Sequence, residues 1–264
     1  MSRLNELPEA SGIAASQRTP GVLWSHNDSG EPVVFALTTA GAVNGRVRVK
    51  GAKVVDWEAI TVGMCPQGTC LYVADIGDND ARRPAITIYR TREPAPGETV
   101  TAQVEALHAT YPDGPQDAEA FILLPGGAMF IVTKGDTGPV VLYRFPSPFR
   151  NGATVSLERV VLLVPAAGKG KKALVARQDR ITDAAASPDG RWIVLRTNRA
   201  VTFYDAREFA AGKIRAVYQY DVASLGEPQG EGVALSANGA VWLAGEGGGR
   251  GQPGSFARLT CTLK

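Results

Sequence analysis

Five short segments of the chain open on a residue that can ligate a hard cation or, in four of them, carry a proton: Ser11, Glu58, Glu119, Asp183 and Glu231. Two residues before each stand Glu9, Asp56, Asp117, Ile181 and Gln229. Side chains two apart share one face of a strand. If the segments surround a common axis, they therefore present two stacked rings, one with four carboxylates and one with three. Acids crowded into one funnel hold protons, pair with Lys or Arg, or bind a cation, because an unpaired charge taken out of water costs several kcal/mol. Oxygen donors of this kind suit Ca²⁺, which takes about 6 to 8 of them in flexible geometry. With two histidines and three cysteines, the chain has too few soft ligands for a zinc or iron–sulfur site. The expected metal ligands are Glu9, Asp56, Glu58, Asp75, Glu119, Asp183 and Glu231. Glu58, Glu119 and Glu231 are also candidates to move protons, and His26 is a candidate general base. The alternative for the acids is turn capping and surface pairing.

Two further residues carry the opposite sign at corresponding places, Lys134 in Thr133-Lys134-Gly135-Asp136 and Arg196 in Arg196-Thr197-Asn198. Both are expected at the same mouth, either holding a substrate anion or neutralising the acids. The basic run Gly168-Lys169-Gly170-Lys171-Lys172, with Arg177 and Arg180, lies in a connection between blades that should open there too, although a solvated loop is the commoner explanation of such a run. The glycine-rich stretch 245–251 lacks the Lys-Ser/Thr of a phosphate loop, and residues 75–80 lack EF-hand spacing. No Gly-x-Ser-x-Gly elbow is present.

The elements that must position these residues are strands. Thirty glycines and seventeen prolines punctuate runs of Val, Ile, Leu, Tyr and Trp of strand length. The one helical candidate, residues 205–212, is a turn or two long and stops at Gly212. Each acidic opening is followed by a small-residue strand, a turn and an aromatic-led strand: Leu23-Trp24, Leu71-Tyr72, Met129-Phe130, Arg191-Trp192 and Val241-Trp242. The openings are separated by 47, 61, 64 and 48 residues, the spacing of four-stranded propeller blades. The fold class expected is all-β, a single five-bladed β-propeller over residues 1–264. The fifth copy runs out one strand short, and residues 2–7 are expected to supply it, closing the ring non-covalently. Cys65 and Cys70 bracket a hairpin turn, so a bridge between them is expected, with Cys261 free. A bridge points to an extracytoplasmic compartment, reached with a signal that is not in this sequence; reduced thiols in the cytoplasm are the alternative. A formal charge of +2 argues against nucleic acid as a partner, and no run reaches the roughly 18 apolar residues of a membrane span. A monomer is expected.

The segments 231–242 and 183–192, Glu231-Gly232-Val233-Ala234 through Val241-Trp242 and Asp183-Ala184-Ala185-Ala186-Ser187-Pro188-Asp189-Gly190-Arg191-Trp192, resemble the blade units of calcium-dependent propellers, the broad group of gluconolactonase, paraoxonase and propeller phytase. The resemblance spans all five copies. It implies a metal in the central channel, with Glu9, Asp56, Glu58, Glu119, Asp183 and Glu231 as candidate ligands. The function expected is a Ca²⁺-dependent hydrolase of a small anionic ester, phosphoester or lactone, with Lys134 and Arg196 holding the anion. A glycoside hydrolase using opposed acids such as Glu58 and Glu231, and a non-catalytic binding propeller, are the alternatives.

Overall fold

The computed structural model describes residues 1–136, 138–164, 175–236, 239–249 and 251–263. It opens on β1 (Ser2–Leu4). Blade 1 follows as β2 (Ala10–Ala15), β3 (Val22–Asn27), β4 (Val33–Thr38) and β5 (Val43–Arg48). Blade 2 is β6 (Trp57–Cys65), β7 (Gly68–Asp75), β8 (Ile86–Arg92) and β9 (Glu105–Thr110). Blade 3 starts with β10 (Ala118–Leu123), β11 (Met129–Thr133) and β12 (Val140–Arg144). The chain then lends β13 (Thr154–Ser156) to the outer edge of blade 2, parallel to β9, before β14 (Glu158–Val164) completes blade 3. Blade 4 is β15 (Ile181–Ala186), β16 (Trp192–Thr197), β17 (Ala200–Asp205) and β18 (Ala216–Asp221). Blade 5 is β19 (Gln229–Leu235), β20 (Ala240–Glu246) and β21 (Gly254–Thr260), with β1 as its fourth strand. The register Ser2↔Phe256 to Leu4↔Gly254 makes the closure that the sequence calls for. Among the described residues the one α-helix, α1 (Ala206–Ala210), is capped by the Asp205 side chain, which accepts from the Glu208 amide.

Five apolar clusters fill the five junctions between neighbouring blades, for example Leu4, Leu37, Trp242 and Phe256 between blades 5 and 1. Small residues let the inner strands crowd the axis. A Cβ on Gly232 would stand 2.7 Å from the Ser11 carbonyl oxygen, and one on Gly12 would stand 2.8 Å from the Ile60 amide nitrogen. In every blade the pairing of the two innermost strands slips at one place: between Ala10 and Ile13, Trp57 and Ala59, Ala118 and Ala120, Ile181 and Asp183, and Gly230 and Gly232. Such a bulge leaves one residue unpaired and re-aims its side chain. That shared irregularity builds the site.

Candidate functional site

The bulged residues are Ser11 (with Gly12), Glu58, Glu119, Thr182 and Glu231, and all of these but Gly12 are polar and buried. Blade 4 corrects the expected register: Thr182 holds the ring position that the sequence reading gives to Asp183, and Arg180 rather than Ile181 stands two residues before it. Thr182 and Ser11 behave alike. The Thr182 hydroxyl donates to the Glu231 carbonyl oxygen at 3.1 Å, and the Ser11 hydroxyl lies 2.9 Å from the Glu58 carbonyl oxygen and 2.8 Å from Glu58 Oε2. Asp183 is turned between blades, where Oδ2 accepts from the Val233 amide and Oδ1 from its neighbour Ala184, both at 2.7 Å. It is an inter-blade stitch rather than a metal ligand.

Glu58, Glu119 and Glu231 thus form the carboxylate ring. Burial raises the proton affinity of all three. Glu58 and Glu231 are pushed well above the ordinary range, with Glu119 as the next contributor in each case. Glu119 is raised to about 7, the Lys134 ammonium opposing the effect of burial. Glu58 stands beside both Asp56 and Glu119, whose charges add to burial in raising its proton affinity, so Glu58 holds its proton. Gly77 leaves room for this contact, since a Cβ there would fall 2.4 Å from Asp56 Oδ2 and 2.6 Å from Glu58 Oε1. Lys134 reaches into the ring, its ammonium on Glu119 Oε1 and 3.8 Å from Asp117 Oδ2. Its own proton affinity is raised above that of a free lysine by these acids, in spite of burial.

Above the ring the mouth is acidic on one side. Glu9, Asp28, Asp56 and Glu246 lie along a path stitched by backbone hydrogen bonds, from the Gly247 amide to the Pro8 carbonyl (2.9 Å), Asp28 to Glu9 (3.1 Å) and Trp57 to Asp28 (3.0 Å). Burial first, then Glu9 and Glu246, raise Asp28 to about 7. Glu246 and Asp56 are raised as well, chiefly by burial. Opposite stand Lys134, Arg180 paired with Asp136 at 2.5 Å, and Arg177, which donates to Gln229 Oε1 at 3.0 Å. Sequence reasoning places Arg177 and Arg180 at this mouth but leaves out Glu246. Glu246 is hidden in a glycine-rich stretch, although it directly follows the small-residue end of an inner hairpin, as Asp28 and Lys134 follow theirs.

Three expected site residues are elsewhere. Arg196 does not reach the mouth: it is fully buried between blades 4 and 5, bound to the Gly232 carbonyl oxygen, to that of Ala244 at 2.7 Å and to Glu227 Oε2 at 2.5 Å. Glycine at 230 makes its space, because a Cβ there would collide with the guanidinium. Asp75 is buried outside the ring, in an ion pair with Arg83 at 2.7 Å and accepting from the Asp56 amide at 3.1 Å, so it braces the strand entry. His26 is fully buried edge-on to Trp57, its Nδ1 on the Asn27 carbonyl oxygen at 3.0 Å, and burial lowers its pKa to about 4. It is a neutral packing residue with no path to a substrate. The run 168–172 and Arg250 lie outside the described residues. With Arg196 withdrawn and Lys134 held by two acids, the described mouth does not offer the free cation pair expected for an anionic substrate.

No protein-family model matches the chain, and no curated protein matches it in sequence. Solved structures do. A glucose dehydrogenase aligns over 99% of this chain and 99% of its own, at 10% identity and a TM-score of 0.53. A gluconolactonase from Xanthomonas campestris aligns over 97% of this chain and 88% of its own, at 9% identity and a TM-score of 0.50. A PQQ-bound aldose sugar dehydrogenase from Streptomyces coelicolor aligns over 96% and 94%, at 10% identity and a TM-score of 0.50. The chain shares the propeller fold of these proteins. At such identity the likeness extends to the fold alone, and it agrees with the blade-level resemblance to the gluconolactonase group.

The donor set bears on calcium as well. All the ring and mouth donors are oxygens, as Ca²⁺ requires. Yet among the described residues no three His, Cys, Asp or Glu side chains converge to hold a metal ion. At Glu119 the position a cation would take is filled by the Lys134 ammonium. As arranged, the ring does not fit a calcium ion.

Proposed function

We propose that the mouth of the channel above the carboxylate ring is an acid–base site that opens a small polyhydroxylated lactone with water. The observation that carries this reading is Glu119, buried, in contact with Lys134, and titrating near neutrality beside the protonated Glu58. In this reading Glu119 takes a proton from water as its oxygen attacks the lactone carbonyl, and Glu231, protonated, donates a hydrogen bond to the carbonyl oxygen. The ring C–O bond then breaks, and the departing alkoxide oxygen takes the proton of Glu58. Glu119 then passes the proton it took from water to Glu58, its neighbour in the ring, so lactone and water become a hydroxy acid with the enzyme unchanged. The acid product is an anion at neutral pH, which the crowded carboxylates expel. The gluconolactonase among the structural neighbours supports the substrate class, as a likeness of fold. The Cys65–Cys70 disulfide supports an extracytoplasmic location. Among the described residues no helix is long and apolar enough to cross a membrane.

A second reading, with Ca²⁺ at the mouth, is favoured by Asp28 Oδ1 and Glu231 Oε2, which are buried without a hydrogen-bond partner. One experiment tests both. Hydrolysis of glucono-1,5-lactone is followed by pH-stat, with and without EDTA, for the wild type, Glu119→Gln and Glu58→Gln. Loss of about 10²- to 10⁴-fold in the variants, with EDTA inert, is expected. A wild-type rate no faster than the uncatalysed one ends the lactonase reading, and a rate abolished by EDTA and restored by Ca²⁺ replaces the first reading with the second.

A further inference from the structure

We infer that the cleft across blade 4 binds a neutral oligosaccharide, so that the lactone opened at the mouth is the end unit of a longer sugar chain. This rests on the reading of the mouth as a sugar-lactone site and deepens it. The cleft is two cavities in series, of about 610 and 550 Å³, which meet at the Arg199–Asp221 ion pair. Both lie in the size range of small-ligand sites, about 300–1,000 Å³. The first is lined by Ile181 at the start of β15, Thr197 at the end of β16, Ala200 at the start of β17 and Asp221 at the end of β18. In an antiparallel blade these are the ends that face the mouth. The second is lined by Arg177 and Asn198. Arg177 donates to Gln229 Oε1 at 3.0 Å, and Gln229 Nε2 donates in turn to Glu231 Oε1 at 2.7 Å, so this cavity borders the carboxylate ring.

The wall of the first cavity is polar. Along β17, Val201 and Phe203 are fully buried in the junction with blade 5. Thr202 and Tyr204, on the opposite face of the strand, are only half-buried and line the cavity with Gln219 of β18, the cross-strand partner of Thr202. Among the described residues the Thr202 hydroxyl, the Tyr204 hydroxyl and the Gln219 amide have no hydrogen-bond partner, and burial is all that acts on the Tyr204 phenol. Two hydroxyls and an amide offer donors and acceptors without charge. Leu195 and Ala200, both buried, give the floor apolar surface for the C–H face of a pyranose ring. The charges do not suit an anion. Arg199, the one arginine among the described residues of this cavity, is paired at 3.3 Å with Asp221, and Asp179 adds a negative charge. An apolar ligand would cover the three polar groups without satisfying them. A neutral polyol satisfies them, and two cavities in series take a chain of rings rather than one.

The test is calorimetric titration of the whole chain with glucose, cellotetraose, maltotetraose, laminaritetraose and inorganic phosphate, repeated with Tyr204→Phe and Gln219→Ala. Neither substitution breaks a hydrogen bond among the described residues, so both should fold, and thermal melts check that they do. At least one tetrasaccharide is expected to bind at least about 10-fold tighter than glucose, and each variant to weaken it about 10-fold. No tetrasaccharide tighter than glucose, an affinity unchanged in both variants, or displacement of the tetrasaccharide by millimolar phosphate would each overturn the inference. Lactone turnover without tighter binding of any tetrasaccharide would sink this inference alone, and tetrasaccharide binding without lactone turnover would sink the hydrolase reading alone.

Discussion

Replacing Lys134 by methionine keeps most of the side-chain length and deletes the ammonium, which isolates what that charge does for the ring. In the wild type Glu119 titrates at about 7, burial raising it and Lys134 opposing. Without the ammonium the folded Glu119 holds its proton to higher pH. Below pH 7 the carboxyl is protonated in both proteins, and the substitution costs little through it. Above pH 7 the wild-type Glu119 ionises, whereas in the variant the folded state stays protonated and the unfolded state is ionised. Stability of the variant relative to wild type then falls by about 1.36 kcal/mol per pH unit. By pH 9 the gap is about 2.7 kcal/mol, near the roughly 3–5 kcal/mol that follows removal of one partner from a buried pair. For a chain of this size it corresponds to about 5–11 °C in Tm. Lys134 itself has a raised pKa, so its contribution is intact below about pH 10.5 and the series stays clear of it. Urea unfolding at pH 6, 7, 8 and 9 measures the gap from the midpoints at constant m. A gap that is the same at every pH, or that narrows toward pH 9, would refute the electrostatic argument.

The wild type itself should lose stability between pH 6.5 and 8. Glu58, Glu231 and Asp183 have folded pKa values raised well above their unfolded ones, so the folded state binds more protons than the unfolded state in this window. His26, lowered to about 4, is neutral in the folded state throughout, and its unfolded form sheds its proton near pH 6.5, a single opposing contribution that fades toward pH 8 against the three raised acids; thermal melts rising with pH would contradict the assignment. Arg196→Met should cost about 3–5 kcal/mol by leaving Glu227 without its partner, with sugar binding unaltered in the protein that folds, and urea midpoints equal to wild type would show the arginine to be dispensable. Gly77→Ala should drive Asp56 and Glu58 apart, lowering lactone turnover at least 10-fold, and an unchanged pH-stat rate would mean that their contact is not needed.

The five blades are legible in the sequence because each hairpin repeats a chemical order: acid, small-residue strand, turn, aromatic. So is the closure, because the fifth copy lacks a strand and residues 2–7 remain to fill it. What the sequence does not display is the bulge. In Ile181-Thr182-Asp183 the acid looks like the counterpart of Glu58 and Glu119, yet the slipped pairing gives the channel to Thr182 and turns Asp183 toward the Val233 amide. A one-residue shift sends a strand's side chains to the other face, so the error changes the number of ring acids and not only a boundary. Arg196 misleads for a related reason. It sits one residue inside the strand end, opposite Val201, and only the glycine at 230 marks the hole that receives it. Asp75 and His26 likewise follow the pattern of mouth residues, but the direction of a side chain at a strand end is set by packing partners far away in the chain.

The pairing of β1 with β21 also fixes an order of events in folding. Ser2 meets Phe256 across almost the whole length of the chain, so this is among the least local contacts in the molecule. Blades 1 to 4 are each built largely from consecutive strands and can assemble from near neighbours, but blade 5 has no outer strand until the two ends of the circle meet. Contacts of such sequence separation form late and slowly. Until then the edge of β21 and the apolar faces of Leu4 and Phe256 stay open, so the nearly finished propeller is the species exposed to edge-to-edge association. Closing the ring removes that edge, and reopening it would first require pulling β1 away.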